Sequence, residues 1–116
     1  MDTRTEHMLQ ILKKAQDTYG FSRQLNVAVE ELLELGIVLQ KYDRYQSHKQ
    51  ALNALHDRVV DEIADVVVIL NHVFMIFSLS QEEIDKRVDA KVERLERWLN
   101  VSDSMYQTVL DREVHG

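Results

Sequence analysis

Two stretches, EELLELGIVLQKY (Glu30–Tyr42) and DEIADVVVILNHV (Asp61–Val73), carry the same arrangement of acids: two adjacent and a third shortly after. Read as helices at about 100° per residue, they place Glu34 between Glu30 and Glu31 in angle, and Asp65 between Asp61 and Glu62. Each segment then presents a compact row of carboxylates. The flanks are apolar on nearly every side, with Val29, Leu32, Leu33 and Leu35 around one row and Val60, Ile63, Ala64 and Val66 around the other. A solvated surface helix keeps its acids on a polar face with basic partners one turn away. Here no Lys or Arg occurs between Gln24 and Gln40, or between Val59 and Asp85. Two such rows on neighbouring apolar helices call for another source of positive charge, because a desolvated carboxylate is unstable without one. Hard divalent cations such as Mg²⁺ or Mn²⁺ match carboxylate oxygens and neutralise both rows at once.

The rest of the chain fits helices. Its 116 residues suffice for one hydrophobic core, and with no proline and three glycines it has little of the punctuation that strands and tight turns require. The expected fold is all-α, a four-helix-bundle-like domain over residues 1–100, followed by a non-helical C-terminal tail over 101–116. Thr3 and Glu6 read as a capping box opening the first helix, with Met8, Leu12, Ala15 and Tyr19 inward and Gly20 as its stop. A second helix is expected from about Ser22 to Tyr42. A third should start between Ser47 and Asp57 and run to about Phe77, with a break near Leu55. Ser80 and Glu83 form a capping box, with Leu79 and Ile84 placed as a hydrophobic staple, so a fourth helix should start at Gln81 and end near Asn100. The stretch Tyr106–Leu110 reads as extended.

Composition narrows the function. The absence of cysteine excludes disulfides, thiolate metal sites and cysteine nucleophiles. The polar N-terminus lacks the pattern of a signal peptide, and the longest apolar run, Val66–Leu70, is too short to span a membrane. A cytoplasmic protein is expected, without a membrane partner. The net charge of −6 disfavours a nucleic-acid partner gripped through its phosphates. Di-iron bundles need Glu-x-x-His, and no histidine here has a glutamate three positions before it. An EF-hand places its acids on a glycine-containing loop. An all-oxygen magnesium site that takes a phosphate ligand remains. In the fourth helix, Ile84, Val88, Lys91, Leu95 and Trp98 form a stripe in which Lys91 takes an apolar position, and Arg94 lies one turn on. A snorkelling stem or salt bridges to Glu93 and Glu96 would explain either cation alone, whereas the pair beside carboxylate rows suits phosphate.

These residues resemble the MazG-like all-α nucleoside triphosphate pyrophosphohydrolases, a group related to the dimeric dUTPases. The family pattern, Glu-x-x-Glu followed after a spacer by Glu-x-x-Asp, is matched by Glu31-Leu-Leu-Glu34 and Glu62-Ile-Ala-Asp65, and VDAKVERLERWL (Val88–Leu99) resembles the segment that follows it. The resemblance covers roughly Phe21 to Trp98. It implies Mg²⁺, or Mn²⁺, on Glu31, Glu34, Glu62 and Asp65, and phosphate contacts from Lys91 and Arg94. It further implies hydrolysis of a nucleoside triphosphate to the monophosphate and pyrophosphate, with Glu31 or Glu34 as general base. Asp89 stands where some relatives carry Asn. Glu30 and Asp61 lie outside the motif and are read as supporting acids. The alternative is a non-catalytic helical module that binds nucleotide or protein and keeps a structural cation. Tyr19, Phe21, Asn26, Tyr42, Asn71, His72 and Trp98 could each supply a base contact, and the sequence does not choose among them. Helices 2 and 3 are apolar nearly all round, so a homodimer or a dimer of dimers is expected.

Overall fold

The computed structural model describes residues 2–115, and among these it contains four α-helices and no strand: α1 (Thr3–Tyr19), α2 (Phe21–Arg44), α3 (Lys49–Ile76) and α4 (Gln81–His115). The fold is all-α, as expected. The chain divides into two compact units, Met1–Ser78 and Leu79–Gly116.

In the first unit, α2 and α3 form an antiparallel hairpin closed by the short turn 45–48. His48 caps α3 by accepting the Ala51 N–H on Nδ1 at 3.1 Å, and α3 then runs unbroken through Leu55. At the open end, the rings of Phe21 and Phe77 meet edge to face with centroids 6.0 Å apart, which pins the start of α2 to the end of α3. The facing stripes are Gln24, Ala28, Glu31, Leu35 and Val38 on α2, and Leu55, Val59, Glu62, Val66 and Ile69 on α3, all buried or half-buried. Their alternating spacings of four and three are those of a packed helical seam. Val38 is fully buried, worth about 1.5–3 kcal/mol of apolar transfer.

Helix α1 covers part of the hairpin through the buried Leu12. His72, buried on α3, donates from Nε2 to Gln16 Oε1 on α1 at 3.2 Å, which ties the two helices. The N-cap of α1 is Asp2 rather than Thr3: its Oδ1 accepts the Thr5 N–H at 2.7 Å. That bond holds the Asp2 carboxyl below its ordinary range, and a carboxylate at a helix N-terminus is also favoured by the helix dipole. Tyr19, expected inward, is exposed and lies beneath the Arg23 guanidinium, 4.7 Å from its ring centroid. The outer faces of α2 and α3 expose Leu32, Leu33, Ile37, Val60, Ile63 and Val67. No helix among the described residues is long and apolar enough to cross a membrane.

The second unit holds α4, which starts at Gln81 as expected. Ser80 Oγ accepts the Glu83 N–H at 3.4 Å, while the Glu83 carboxylate takes Arg87 Nε at 2.9 Å instead of returning to the cap. The expected non-helical tail is corrected over residues 101–115, where α4 continues; Gly116 lies outside the described residues. Val101, Met105, Tyr106, Val109, Leu110 and Val114 recur at helical spacing, a stripe masked by Ser102, Asp103, Ser104 and Thr108 between them. Gln107 bonds Asp111 and Thr108 bonds the Ser104 carbonyl, each one turn apart, so Tyr106–Leu110 is helical rather than extended.

Gly20 joins α1 to α2 at φ 86° and ψ 166°, a backbone region nearly closed to residues with a Cβ. Gly36 sits in mid-helix, and a Cβ built on it meets nothing within 4 Å. Opposite outcomes are therefore expected in urea denaturation of the two alanine variants. Gly20→Ala should lose about 1–3 kcal/mol of stability. Gly36→Ala should gain up to about 1 kcal/mol from helix propensity.

Candidate metal centre

The centre lies within the first unit, where the pairing of α2 with α3 brings the two acidic rows together. One carboxylate oxygen from each of Glu31, Glu62 and Asp65 lies within 4.8 Å of the others. Glu31 and Glu62 occupy seam positions and are half-buried, whereas Asp65 opens to solvent. Oε2 of Glu31 and Oε2 of Glu62 are both buried without a hydrogen-bond partner. Native proteins leave few such atoms unpaired, because each forfeits its hydration for nothing in return.

The electrostatics match the geometry. Desolvation raises the Glu31 carboxyl above its ordinary value, and the charges of Asp65, Glu34 and Glu62 push it in the same direction. Desolvation also raises Glu62, followed by the charges of Glu34, Asp65 and Asp61, while Arg58 one turn away opposes them. None of Glu30, Glu31, Glu34, Asp61, Glu62 or Asp65 forms an ion pair among the described residues. Arg58 has no signal in the acidic motif itself; only its spacing of four from Glu62 points to it.

The donor set suits a hard cation. On an octahedral Mg²⁺, ligand oxygens stand about 3 Å apart when adjacent and about 4.2 Å apart when opposite. Glu34, the fourth expected ligand, is exposed and stands outside the three converging groups, although its charge acts on both Glu31 and Glu62. Glu30 and Asp61 are also exposed.

Lys91 and Arg94 belong to the second unit. Lys91, Val88, Leu95 and Trp98 are exposed on α4, where no residue is buried. Lys91, Arg94, Leu95 and Trp98 line a shallow depression of about 330 Å³ on α4 itself. Neither cation pairs with a carboxylate among the described residues, so the expected alternative of salt bridges to Glu93 and Glu96 is not seen. His72 is hydrogen-bonded to Gln16 in the core, and Asn71 gives its amide N–H to the Val67 carbonyl at 2.8 Å.

The raised carboxyls set the sign of a pH dependence. A group whose folded-state pKa lies above its unfolded value stabilises the fold fully below the unfolded pKa, here about 4.5, and that contribution is lost as pH rises through the higher value. In EDTA, the stability of the wild type relative to Glu31→Gln should therefore fall as pH rises from about 4.5, as followed by thermal melts. His72, lowered by burial from 6.5, acts oppositely: its contribution is present above 6.5 and lost as pH falls through its depressed value. A wild-type and Glu31→Gln pair whose difference is flat from pH 4 to 8 would contradict the repulsive cluster.

In comparisons with known proteins, no family model matches the chain, and no curated protein or solved structure matches it either.

Proposed function

We propose that the chain is a Mg²⁺-dependent nucleoside triphosphate pyrophosphohydrolase of the MazG-like type, hydrolysing a nucleoside triphosphate to the monophosphate and pyrophosphate. The observation that carries the reading is the convergence of Glu31, Glu62 and Asp65, with two buried, unpartnered oxygens, on helices bearing Glu31-x-x-Glu34 and Glu62-x-x-Asp65. A divalent ion bound there would supply positive charge to phosphate oxygens and lower the pKa of a water. Glu31, Glu62 and Asp65 would hold it, with Glu34 as the fourth ligand that the motif implies. Glu31 or Glu34 takes the proton of the attacking water. Lys91 and Arg94, unpaired cations on α4, are assigned to phosphate oxygens, where they favour the charge that develops on departing pyrophosphate. A cytoplasmic setting is consistent with the absence of cysteine.

Hydrolysis in ¹⁸O-labelled water tests the chemistry. Label on the monophosphate, with pyrophosphate as the primary product, is expected for attack at the α-phosphorus; label confined to pyrophosphate or orthophosphate contradicts it. Glu62→Gln and Asp65→Asn should each lower turnover by more than about 100-fold, beyond the 10–100-fold typical of losing a mere supporting partner. Lys91→Ala should weaken triphosphate binding or turnover while sparing metal affinity. Saturating Mg²⁺ should raise the melting temperature of the wild type, by about 2.7 kcal/mol of stability at a hundredfold excess over Kd. A metal-induced shift with no pyrophosphate release from any nucleotide would favour the non-catalytic module.

The chain is further proposed to form a homodimer or a dimer of dimers through the exposed apolar faces of α2 and α3, since contiguous apolar surface of this kind marks association sites. Light scattering at micromolar concentration should find an oligomer. Gly36 lies among the exposed Leu32, Leu33 and Val29, so Gly36→Ala should weaken association if the α2 faces meet closely. A stable, active monomer would rule the assembly out.

A further inference from the structure

Along α4 the charges divide by face. Arg87, Lys91, Arg94 and Trp98 fall within one sector about 60° wide, whereas Asp85, Asp89, Glu93 and Glu96 fall on the opposite side. The chain as a whole is acidic, with a net charge of −6, so this segregation does not reflect its overall composition. Between Gln81 and Trp98 the exception is Glu83, which Arg87 engages at 2.9 Å. Lys91 and Arg94 make no ion pair among the described residues. Both cations are shared by two shallow depressions on the helix, one of about 330 Å³ lined also by Leu95 and Trp98, the other of about 210 Å³ lined also by Arg87 and Ala90. The surface is therefore apolar and aromatic at the Trp98 end and cationic towards Arg87. Trp98 is the most exposed large apolar side chain among the described residues, at 68 %. Unlike Tyr19, whose ring lies beneath Arg23, its indole is covered by no cation or aromatic ring among the described residues. A solvated indole beside unpaired ammonium and guanidinium groups offers an aromatic plate and a phosphate grip on one rigid rod. Trp98 stands two turns beyond Lys91, about 10 Å along the axis, with Arg94 one turn from each. That order matches a nucleotide, whose flat base and charged phosphates are held apart by its sugar.

We propose that this face of α4 binds a nucleotide by stacking Trp98 on its base, with Arg94 and Lys91 on its phosphates. The inference rests on the phosphate assignment made for these two cations in the pyrophosphohydrolase reading, and adds the base contact. Every base presents a π-face to an indole, so the contact supplies affinity and does not choose among bases. Arg94 can take two oxygens of one phosphate through its planar fork, while Lys91 acts as a point charge on the next. Single-stranded nucleic acid carries the same two chemical features. A mononucleotide is favoured because the face has one indole with both cations to one side of it, and because a chain of net charge −6 repels a long polyanion.

Trp98 is the only tryptophan of the chain, so selectively excited tryptophan emission reports on it alone. In EDTA, ATP should quench that emission saturably. Inorganic triphosphate should displace ATP yet leave the emission of the free protein nearly unchanged. By calorimetry, Trp98→Ala should weaken ATP binding at least about fivefold, the lower end of what base stacking contributes, and Trp98→Phe should retain most of the wild-type affinity. Inorganic triphosphate should bind Trp98→Ala as it binds the wild type, whereas Lys91→Ala and Arg94→Ala should weaken both ligands. Emission unmoved by millimolar ATP, equal quenching by inorganic triphosphate, or unchanged ATP affinity in Trp98→Ala overturns the base contact, whether or not the protein releases pyrophosphate. A single-stranded oligodeoxynucleotide that binds more tightly per nucleotide than ATP overturns it in favour of a nucleic-acid surface. Saturable quenching by ATP that Trp98→Ala weakens in calorimetry, with no pyrophosphate released from any nucleotide in Mg²⁺, upholds the stacking face and removes the reaction.

Discussion

Glu31 and Glu62 occupy positions in the α2–α3 seam where side chains of a packed hairpin are ordinarily apolar, and each buries an oxygen with no partner. Desolvation and mutual repulsion both act against the charged forms, and Arg58 offsets them in part at Glu62. A hairpin can hold such a pair only if the rest of its seam is strong enough to prevent the helices from separating or rotating. Ala28 and Val38 on one side, with Leu55, Val66 and Ile69 on the other, supply that apolar packing. The closed turn at 45–48 and the Phe21–Phe77 contact fix the hairpin at its two ends, so the register that places Glu31 beside Glu62 and Asp65 is set by distant residues. Local instability retained at one place and compensated by packing elsewhere is what a binding site looks like before its ligand is considered.

Helix α2 divides its circumference among separate tasks. One stripe enters the seam, an adjacent line through Arg23, Asn26 and Glu30 borders an open groove shared with Tyr19, and the far side exposes Val29, Leu32 and Leu33 around Gly36. In the proposed enzyme the seam and the far side become metal ligands and subunit contacts carried on one rigid rod. Rigidity matters because carboxylates on helices hold their spacing more closely than carboxylates on loops. Gly20 makes the arrangement possible at the N-terminal end: its positive φ turns the chain sharply enough for Tyr19, the last residue of α1, to lie under Arg23 in the first turn of α2.

The paired acidic rows, the all-α class, the stop at Gly20 and the start of α4 at Gln81 were legible in the sequence, because each depends on interactions within one turn of helix. Spacings of three and four residues, a residue able to adopt positive φ and a serine before a helix all act locally. The length of α4 depends on equally local forces, yet a stripe of valine, methionine and leucine was concealed by serines and a threonine that individually disfavour helix interiors. What only the tertiary structure decided is which face of each apolar helix is covered. With apolar residues all round α2 and α3, no periodicity distinguishes the seam from the outer surface, so the sequence could place the acids in rows but could not say that Glu31, Glu62 and Asp65 converge while Glu34 stands aside. Nor could it show that Tyr19 leaves the core for Arg23, or that His72 enters it to meet Gln16. Those outcomes follow from the rotation of one helix against another, which is set by the sum of many packing contacts rather than by any residue's own preference.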